Sequence, residues 1–203
     1  MDVYILASVQ LDMYVRDAKN RDEVWLLDRI DTLGLDAEAF RSRDYVLAVD
    51  EDTNTRVGFG RLRIHSGDVD VCELTGIGVL EAWRGQGVGA HVLERLVAEA
   101  GDDGFETIYV LTDQIGYLTQ FGFERIETER LPEQLADRLG RKRHAVDEAV
   151  DPLSLDVAAF EMPDRLRAAF KNAGTDEGST EPTETAEDFG IDPETASYKY
   201  DTG

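Results

Sequence analysis

The sequence predicts an α/β protein, a mixed β-sheet with helices on both faces. Short apolar, β-branched runs alternate with stretches whose apolar residues recur at helical spacing. One strand, Val71 to Val79, leads through a glycine-rich turn into a helix with the stripe Val92, Leu93, Leu96, Val97, Ala100. A further run, Thr107-Ile-Tyr-Val-Leu111, is apolar on both faces and reads as a central, buried strand.

In chain order, Val3 to Ala7 reads as an added edge strand and Met13 to Ala18 as the first strand of the main domain. Asn20 is placed to cap a helix running to Thr32 with Val24, Leu26, Leu27 and Ile30 on its apolar side. Gly34 ends that helix, and Asp36 to Phe40 reads as a second short helical turn. Tyr45 to Val49 and Val57 to Ile64 pair across the turn cluster Glu51 to Thr55. Gly67-Asp68 turns into Val71 to Val79. Gly101 to Gly104 breaks the following helix. Gln114 to Gln120 is a short helix, Phe123 to Thr128 a last strand, and Leu131 to Leu139 another helix. The reading divides the chain into an N-terminal extension (1–12), a main domain (13–145), a docking extension (146–173) and an acidic, largely disordered tail (174–203). Pro163 splits the docking extension into an extended part and a helix. The tail is rich in Thr, Glu and Gly.

Charge excludes some functions. The 203 residues carry 21 Lys and Arg against 43 Asp and Glu, a net charge of −22. Such a surface repels nucleic acid. Scarce lysine and acid spread along the whole chain match the composition of proteins from very salty cytoplasm, where self-repulsion is screened. A basic partner or substrate is the other explanation. The single cysteine, Cys72, forms no intrachain disulfide and reads as a buried thiol. No apolar run reaches the length of a membrane span, and the N-terminus lacks a signal-peptide pattern, so a soluble cytoplasmic protein without a membrane partner is expected. His65, His91 and His144 show no metal-ligand spacing, so no metal is expected, and His91 is expected to be exposed. Arg138, Arg141, Lys142, Arg143 and His144 form one basic cluster, read as a solvated helix end, with contact to a phosphate or an acidic surface as the alternative.

The turn Arg84-Gly-Gln-Gly-Val-Gly89 has its own chemistry. Glycines let a backbone approach a ligand closely and turn successive N–H groups inward. A helix start adds free N–H groups and the positive end of its dipole. Together they suit an anion, most naturally phosphate. Gly85 to Ala90 also fits a dinucleotide-binding pattern, with Asp113 downstream as a ribose-binding acid. However, Glu81-Ala-Trp-Arg84 separates strand from turn, and too little patterned sequence follows for more βα units. No Gly-Lys-Ser/Thr follows, which excludes a Walker loop.

Glu73-Leu-x-x-Ile77-x-Val79, followed by Trp83-Arg84-Gly-Gln-Gly87-Val-Gly89, resembles the acyl-CoA signature of the GNAT superfamily of N-acetyltransferases, and Tyr117 to Phe123 resembles that family's aromatic-x-x-x-x-Gly-Phe element. The resemblance implies the GNAT layout of a mixed sheet and acetyl-CoA as co-substrate. The diphosphate would lie on Gly85, Gln86, Gly87, Val88, Gly89 and Ala90, near Arg84. The pantetheine arm would run beside Ile77 and Val79 as an extra strand. A glutamate at Gly87 would then set a carboxylate against phosphate. Gly76 and Gly78 share a side of the strand, where glycine marks a bulge or a close approach, with helix packing against the sheet as the other reading. Glu73, the only charge in Val71–Val79, is placed by alternation on the face of Thr75 and Ile77 and is the candidate base. Tyr117 is the candidate acid for the departing thiolate. The family's tyrosine usually stands one position later, at Leu118, which leaves a packing role open for Tyr117. Leu111-Thr112 and Leu131-Pro132 resemble acetyltransferases of the N-acetylglutamate synthase type; a small amine, an amino acid, a peptide N-terminus and a lysine side chain all remain open as acceptor. A catalytically silent acyl-CoA-binding sensor or partner-binding module is the alternative from another class. The oligomeric state stays open, a homodimer included.

Overall fold

The computed structural model describes residues 13–145 and 149–173, and within these seven strands form one sheet. They are β1 (Met13–Asp17), β2 (Tyr45–Asp50), β3 (Thr55–His65), β4 (Val71–Val79), β5 (Thr107–Thr112), β6 (Glu124–Arg125) and β7 (Asp151–Asp156). Their spatial order is β1-β2-β3-β4-β5-β7-β6. Neighbours are antiparallel except the pair β4 and β5, which is parallel. The parallel pair needs a crossover, and α2 (Val88–Asp102) supplies it.

The two faces of the sheet bury different sets of residues. Val92, Leu93, Leu96 and Val97 of α2 pack on Val46, Val57, Leu74, Ile108 and Val110. Glycines make this contact close: a Cβ on Gly60 would lie 2.7 Å from Val92 and 2.9 Å from Leu96. On the opposite face α1 (Glu23–Thr32) places Leu26 and Ile30 over Tyr45, Leu47 and Phe59. Beside it, α4 (Glu133–Ala145) sets Leu135 and Leu139 against Val71, Leu111 and Val150. Among the described residues no helix is long and apolar enough to cross a membrane.

Several boundaries differ from expectation for physical reasons. Asn20 does not cap α1. Asp22 is the buried anchor there, accepting hydrogen bonds from the Lys19 amide at 2.9 Å and from the guanidinium groups of Arg16 and Arg56. Only Leu26 and Ile30 of the expected stripe are buried, while Val24 and Leu27 are exposed. Asp36 to Phe40 forms a turn with Ala39 at positive φ, not a helical turn. The last expected strand shrinks to Glu124–Arg125. The reason is β7, which inserts between β5 and β6 and pairs with both. Leu153 and Leu155 are fully buried in the main core. The sheet therefore extends past residue 145, and the chain after it is more than a docking extension. The alternation of Leu153 and Leu155 with polar neighbours is the signal that marks this strand. After it, α5 (Asp164–Lys171) packs against α2. The expected strand Val3 to Ala7 and the tail from residue 174 lie outside the described residues.

Candidate active site

The site begins where the parallel pair comes apart. β4 and β5 are in register only over Cys72–Leu74 and Ile108–Val110, although β4 continues to Val79 and β5 to Thr112. On its other side β4 carries a bulge: Phe59 pairs with Gly78 and Arg61 with Thr75, so Gly76 and Ile77 together face Gly60. Gly76 has φ +63°, a conformation that glycine adopts without strain. The bulge lies beyond the last β4–β5 pair, and the two strands diverge from there.

The bulge breaks the alternation expected for β4. Ile77 is turned toward α2, on the face of Leu74, where it packs with Val92 and Leu96 around Gly60. It does not share a face with Glu73 and Thr75. Cβ atoms on Gly76 and Gly78 would both point to the opposite face, toward Tyr45 and toward Phe59 with Leu33. Close helix and side-chain packing thus accounts for Gly78.

Between the diverging strands lies a cleft of about 350 Å³. Its walls are Thr75 to Val79 of β4, the end of β5 with Asp113 and Gln114, the loop Leu33 to Asp36, and Tyr117 and Leu118 of α3 (Ile115–Thr119). Arg84 borders one end and Lys142 and Val150 another part of the wall. The Arg84 Nε donates to the Val79 carbonyl at 3.3 Å, which holds the guanidinium at the strand end. Tyr117 is 5% exposed, and its ring meets Phe121 edge-on with centroids 5.2 Å apart. The structure therefore brings Ile77, Val79, Arg84 and Tyr117 to one cleft.

The glycine turn follows Arg84 at the cleft's end, and Gly85 to Ala90 do not themselves line the cleft. Gly87, at φ +71°, is the N-cap of α2 and has no side chain with which to cap it, and no acid stands in the first turn. The first N–H groups of a helix have no partner within it and can serve an external acceptor. Gln86 donates from its side chain to the Ala82 carbonyl at 3.0 Å. One side of the turn is covered by the chain itself: a Cβ on Gly87 would sit 2.3 Å from the Leu166 carbonyl oxygen of α5. A glutamate at position 87 would therefore strike a helix backbone before it met a phosphate. His91 is not exposed as expected. Its ring stacks on Phe170 of α5 at 3.7 Å, and burial lowers its pKa against the opposing pull of the Gly87 carbonyl and Glu94.

Glu73 lies outside this cleft. It is fully buried, and the Arg138 Nε donates to both of its oxygens at 2.8 Å. His65 Nε2 lies 2.7 Å from Oε2. Arg138 is itself buried and reaches Glu38 at 2.8 Å and Asp36. Burial would raise the Glu73 pKa, but the His65 hydrogen bond and the Arg138 charge outweigh it and hold the carboxyl below its usual range. A general base at neutral pH needs the opposite: a raised pKa and an open lone pair. The basic cluster of α4 is a solvated helix end only at Arg141 and His144, which are exposed. Arg138 is in this network, Arg143 donates to the Val150 carbonyl and pairs with Asp151, and Lys142 Nζ donates to the Leu111 carbonyl at 3.0 Å. Cys72 is a buried thiol whose pKa burial pushes up to about 12, which makes it inert.

A parallel strand pair that opens beyond a bulge, beside a helix start preceded by a glycine turn, defines a domain shaped for an extended ligand with an anionic end. The profile of the acetyltransferase (GNAT) family matches residues 10–123, more than half of the chain, and the chain belongs to that family. An uncharacterized N-acetyltransferase of Chlorobaculum tepidum is 30% identical over 67 residues, which is 33% of this chain and 43% of that protein. Among solved structures, the N-acetylglutamate synthase of Neisseria gonorrhoeae, complexed with coenzyme A and N-acetyl-glutamate, superposes with a TM-score of 0.59 at 16% identity, over 72% of this chain and 35% of that one. A Mycobacterium tuberculosis protein in complex with CoA gives 0.57 at 21% identity, over 70% and 98%. An Arabidopsis thaliana protein bound to the bisubstrate analogue CoA-Ac-MVNAL gives 0.51 at 17%, over 70% and 97%. The chain thus spans less than half of the length of the Chlorobaculum and Neisseria proteins. These structures share its fold.

Proposed function

We propose that this chain is an acetyl-CoA-dependent N-acetyltransferase acting on a primary amine. The observation that carries the proposal is the parting of β4 from β5 at the Gly76 bulge into a cleft that ends near an uncapped helix start. Strand edges freed by the parting can pair with an extended amide-bearing arm, as an added strand would. Arg84 and the amides from Gly85 to Ala90 would hold the diphosphate on the side of the turn that α5 leaves open. The co-substrate brings an activated thioester, so the protein's task is to position and polarise. A backbone N–H of the Ile77–Val79 segment would donate to the acetyl oxygen. The new C–N bond forms as the C–S bond breaks, Tyr117 O–H gives its proton to the departing sulfur, and the amine proton leaves through cleft water toward Asp113. Glu73 serves in this reading as the anchor of β4 to α4. The CoA complexes of the relatives, one with an acetylated amino acid and one with a peptide-like analogue, support an amine acceptor.

Thiol release from acetyl-CoA across a panel of amines tests the reading. Turnover with at least one class is expected. Thermal stabilisation by acetyl-CoA without turnover would leave a silent acyl-CoA-binding module, and stabilisation by NAD instead would overturn the coenzyme assignment. We also read the net charge of −22 as adaptation to concentrated salt, in which the Debye length falls to about 3 Å at 1 M. The melting temperature should then rise steadily between 0.1 and about 2 M KCl; a flat or falling curve removes that reading.

A further inference from the structure

The cations near the cleft are not all neutralised. Arg138 is surrounded by Glu73, Glu38 and Asp36, Arg141 lies 3.6 Å from Glu38, and Arg143 pairs with Asp151. Lys142, on the same helix, is the exception. Among the described residues no carboxylate lies within ion-pair distance of its ammonium, and its hydrogen bond goes to the neutral Leu111 carbonyl. An ammonium has three N–H donors, so two are left for a ligand. Lys142 lines the cleft together with Thr75, Asp36 and Asp113. Burial lowers its pKa, with Glu73 opposing that effect at longer range.

A second uncompensated cation stands behind the same wall. Arg61 of β3 is fully buried and pairs across the sheet with Thr75, which lines the cleft. Among the described residues its guanidinium bonds to neutral oxygens, the Glu38 carbonyl at 2.9 Å and the Tyr45 hydroxyl at 3.4 Å, and lies 5.4 Å from the Tyr45 ring centroid, while its Nε has no hydrogen-bond partner. Buried cations without a touching anion are unfavourable unless a counter-ion arrives. In a chain of net charge −22, long-range attraction does not bring an anion to this face, so a specific local cation has to.

We propose that the acceptor is a small amine carrying a carboxylate, an amino acid rather than a peptide N-terminus or a protein lysine, and that the Lys142 ammonium binds this carboxylate with added positive field from Arg61. This rests on the transferase reading of the cleft. A carboxylate on Lys142 would fix the acceptor's amine in the cleft, with Asp113 in the wall to receive its proton. A cleft of about 350 Å³ shared with the pantetheine end leaves room for a small acceptor.

The test compares L-amino acids with their carboxamides, which keep the amine and remove the charge. Calorimetry on the full chain saturated with CoA reads binding, and thiol release reads turnover. Wild-type protein should prefer an acid to its amide by about 10- to 100-fold, the range for one charged hydrogen bond. Lys142→Met should erase that preference by weakening acid binding, with CoA affinity retained, and Lys142→Arg should restore part of it. Equal use of acid and amide by the wild type, which needs no variant, overturns the proposal and leaves the transferase standing. So does a loss in Lys142→Met that is equal for acid and amide, because the lysine would then act on the amine. Acid-selective, Lys142-dependent binding without turnover supports the subsite and sinks the transferase. Failure of every amino acid to bind or react overturns the proposal as well.

Discussion

Arg138 grips Glu73 across 65 residues of sequence, its Nε 2.8 Å from both carboxylate oxygens, and the pair ties α4 to the central strand β4. Both side chains are buried, so removing one partner strands the other charge. Arg138→Met should cost about 3–5 kcal/mol of stability in urea unfolding. Glu73→Gln, which keeps the shape, should cost about 1–3 kcal/mol and lower kcat no more than its instability explains. Should Glu73→Gln keep the wild-type melting temperature and lose kcat by orders of magnitude, Glu73 is the base after all.

Gly87 meets the backbone of α5, and its φ is +71°. A side chain there is strained twice. Gly87→Ala should destabilise the chain by about 1–2 kcal/mol from the left-handed conformation alone, and should loosen α5, read as faster hydrogen exchange over residues 164–171. Unchanged exchange there would show that α5 does not depend on this contact.

Tyr117 lies in the cleft wall with little of its surface exposed. As the acid for the leaving thiolate, its O–H should be worth about 10²-fold in kcat. Tyr117→Phe should therefore lower kcat while the KM for acetyl-CoA stays within about twofold. If the ring only packs against Phe121, the variant will match wild type at every pH.

Acid should unfold the protein through a small set of paired carboxyls. Asp22 and Glu73 both have folded-state pKa values below their unfolded ones. For Asp22, burial alone would raise the pKa; hydrogen bonds from Arg16, the Lys19 amide and Arg56 outweigh it. Between the two values the unfolded chain binds more protons, so stability rises with pH there. Their contribution is complete above the unfolded values, about 4, and is lost as pH falls through the folded ones. Glu99, whose pKa burial raises, acts with the opposite sign. Replacing Asp22 by Asn should flatten the acid limb of a stability–pH curve; an unchanged limb would remove Asp22 from the account.

The glycine turn is legible in the sequence because its chemistry is local. Three glycines ahead of a helical stripe specify a backbone shape and a helix start within a few residues. Strand alternation sets Glu73 on the face of Thr75, but what it touches there is not legible because its surroundings are not local. Its partners are His65 on β3 and Arg138 on α4, and no spacing within β4 announces them. The basic cluster of α4 misleads for the same reason: a run of cations looks solvated until Glu73, Glu38 and Asp151 are brought to it. Gly76 can signal a bulge within β4, but which residues it pairs out of step is set by the partner strand β3, and simple alternation carries Ile77 to the wrong face.

Short-range pattern in the chain suffices for the element order through β5, the mixed α/β class, the strand–turn–helix that suits an anion, and the family resemblance. Each rests on periodicity or backbone conformation over a few consecutive residues. Contacts between distant segments settle the rest: β7 enters the sheet, α5 covers one side of the turn, Glu73 is locked in an ion pair, and Lys142 faces the cleft without a touching anion. Those outcomes depend on charges and surfaces supplied from elsewhere in the chain, and a buried charge takes its role from what folding places beside it.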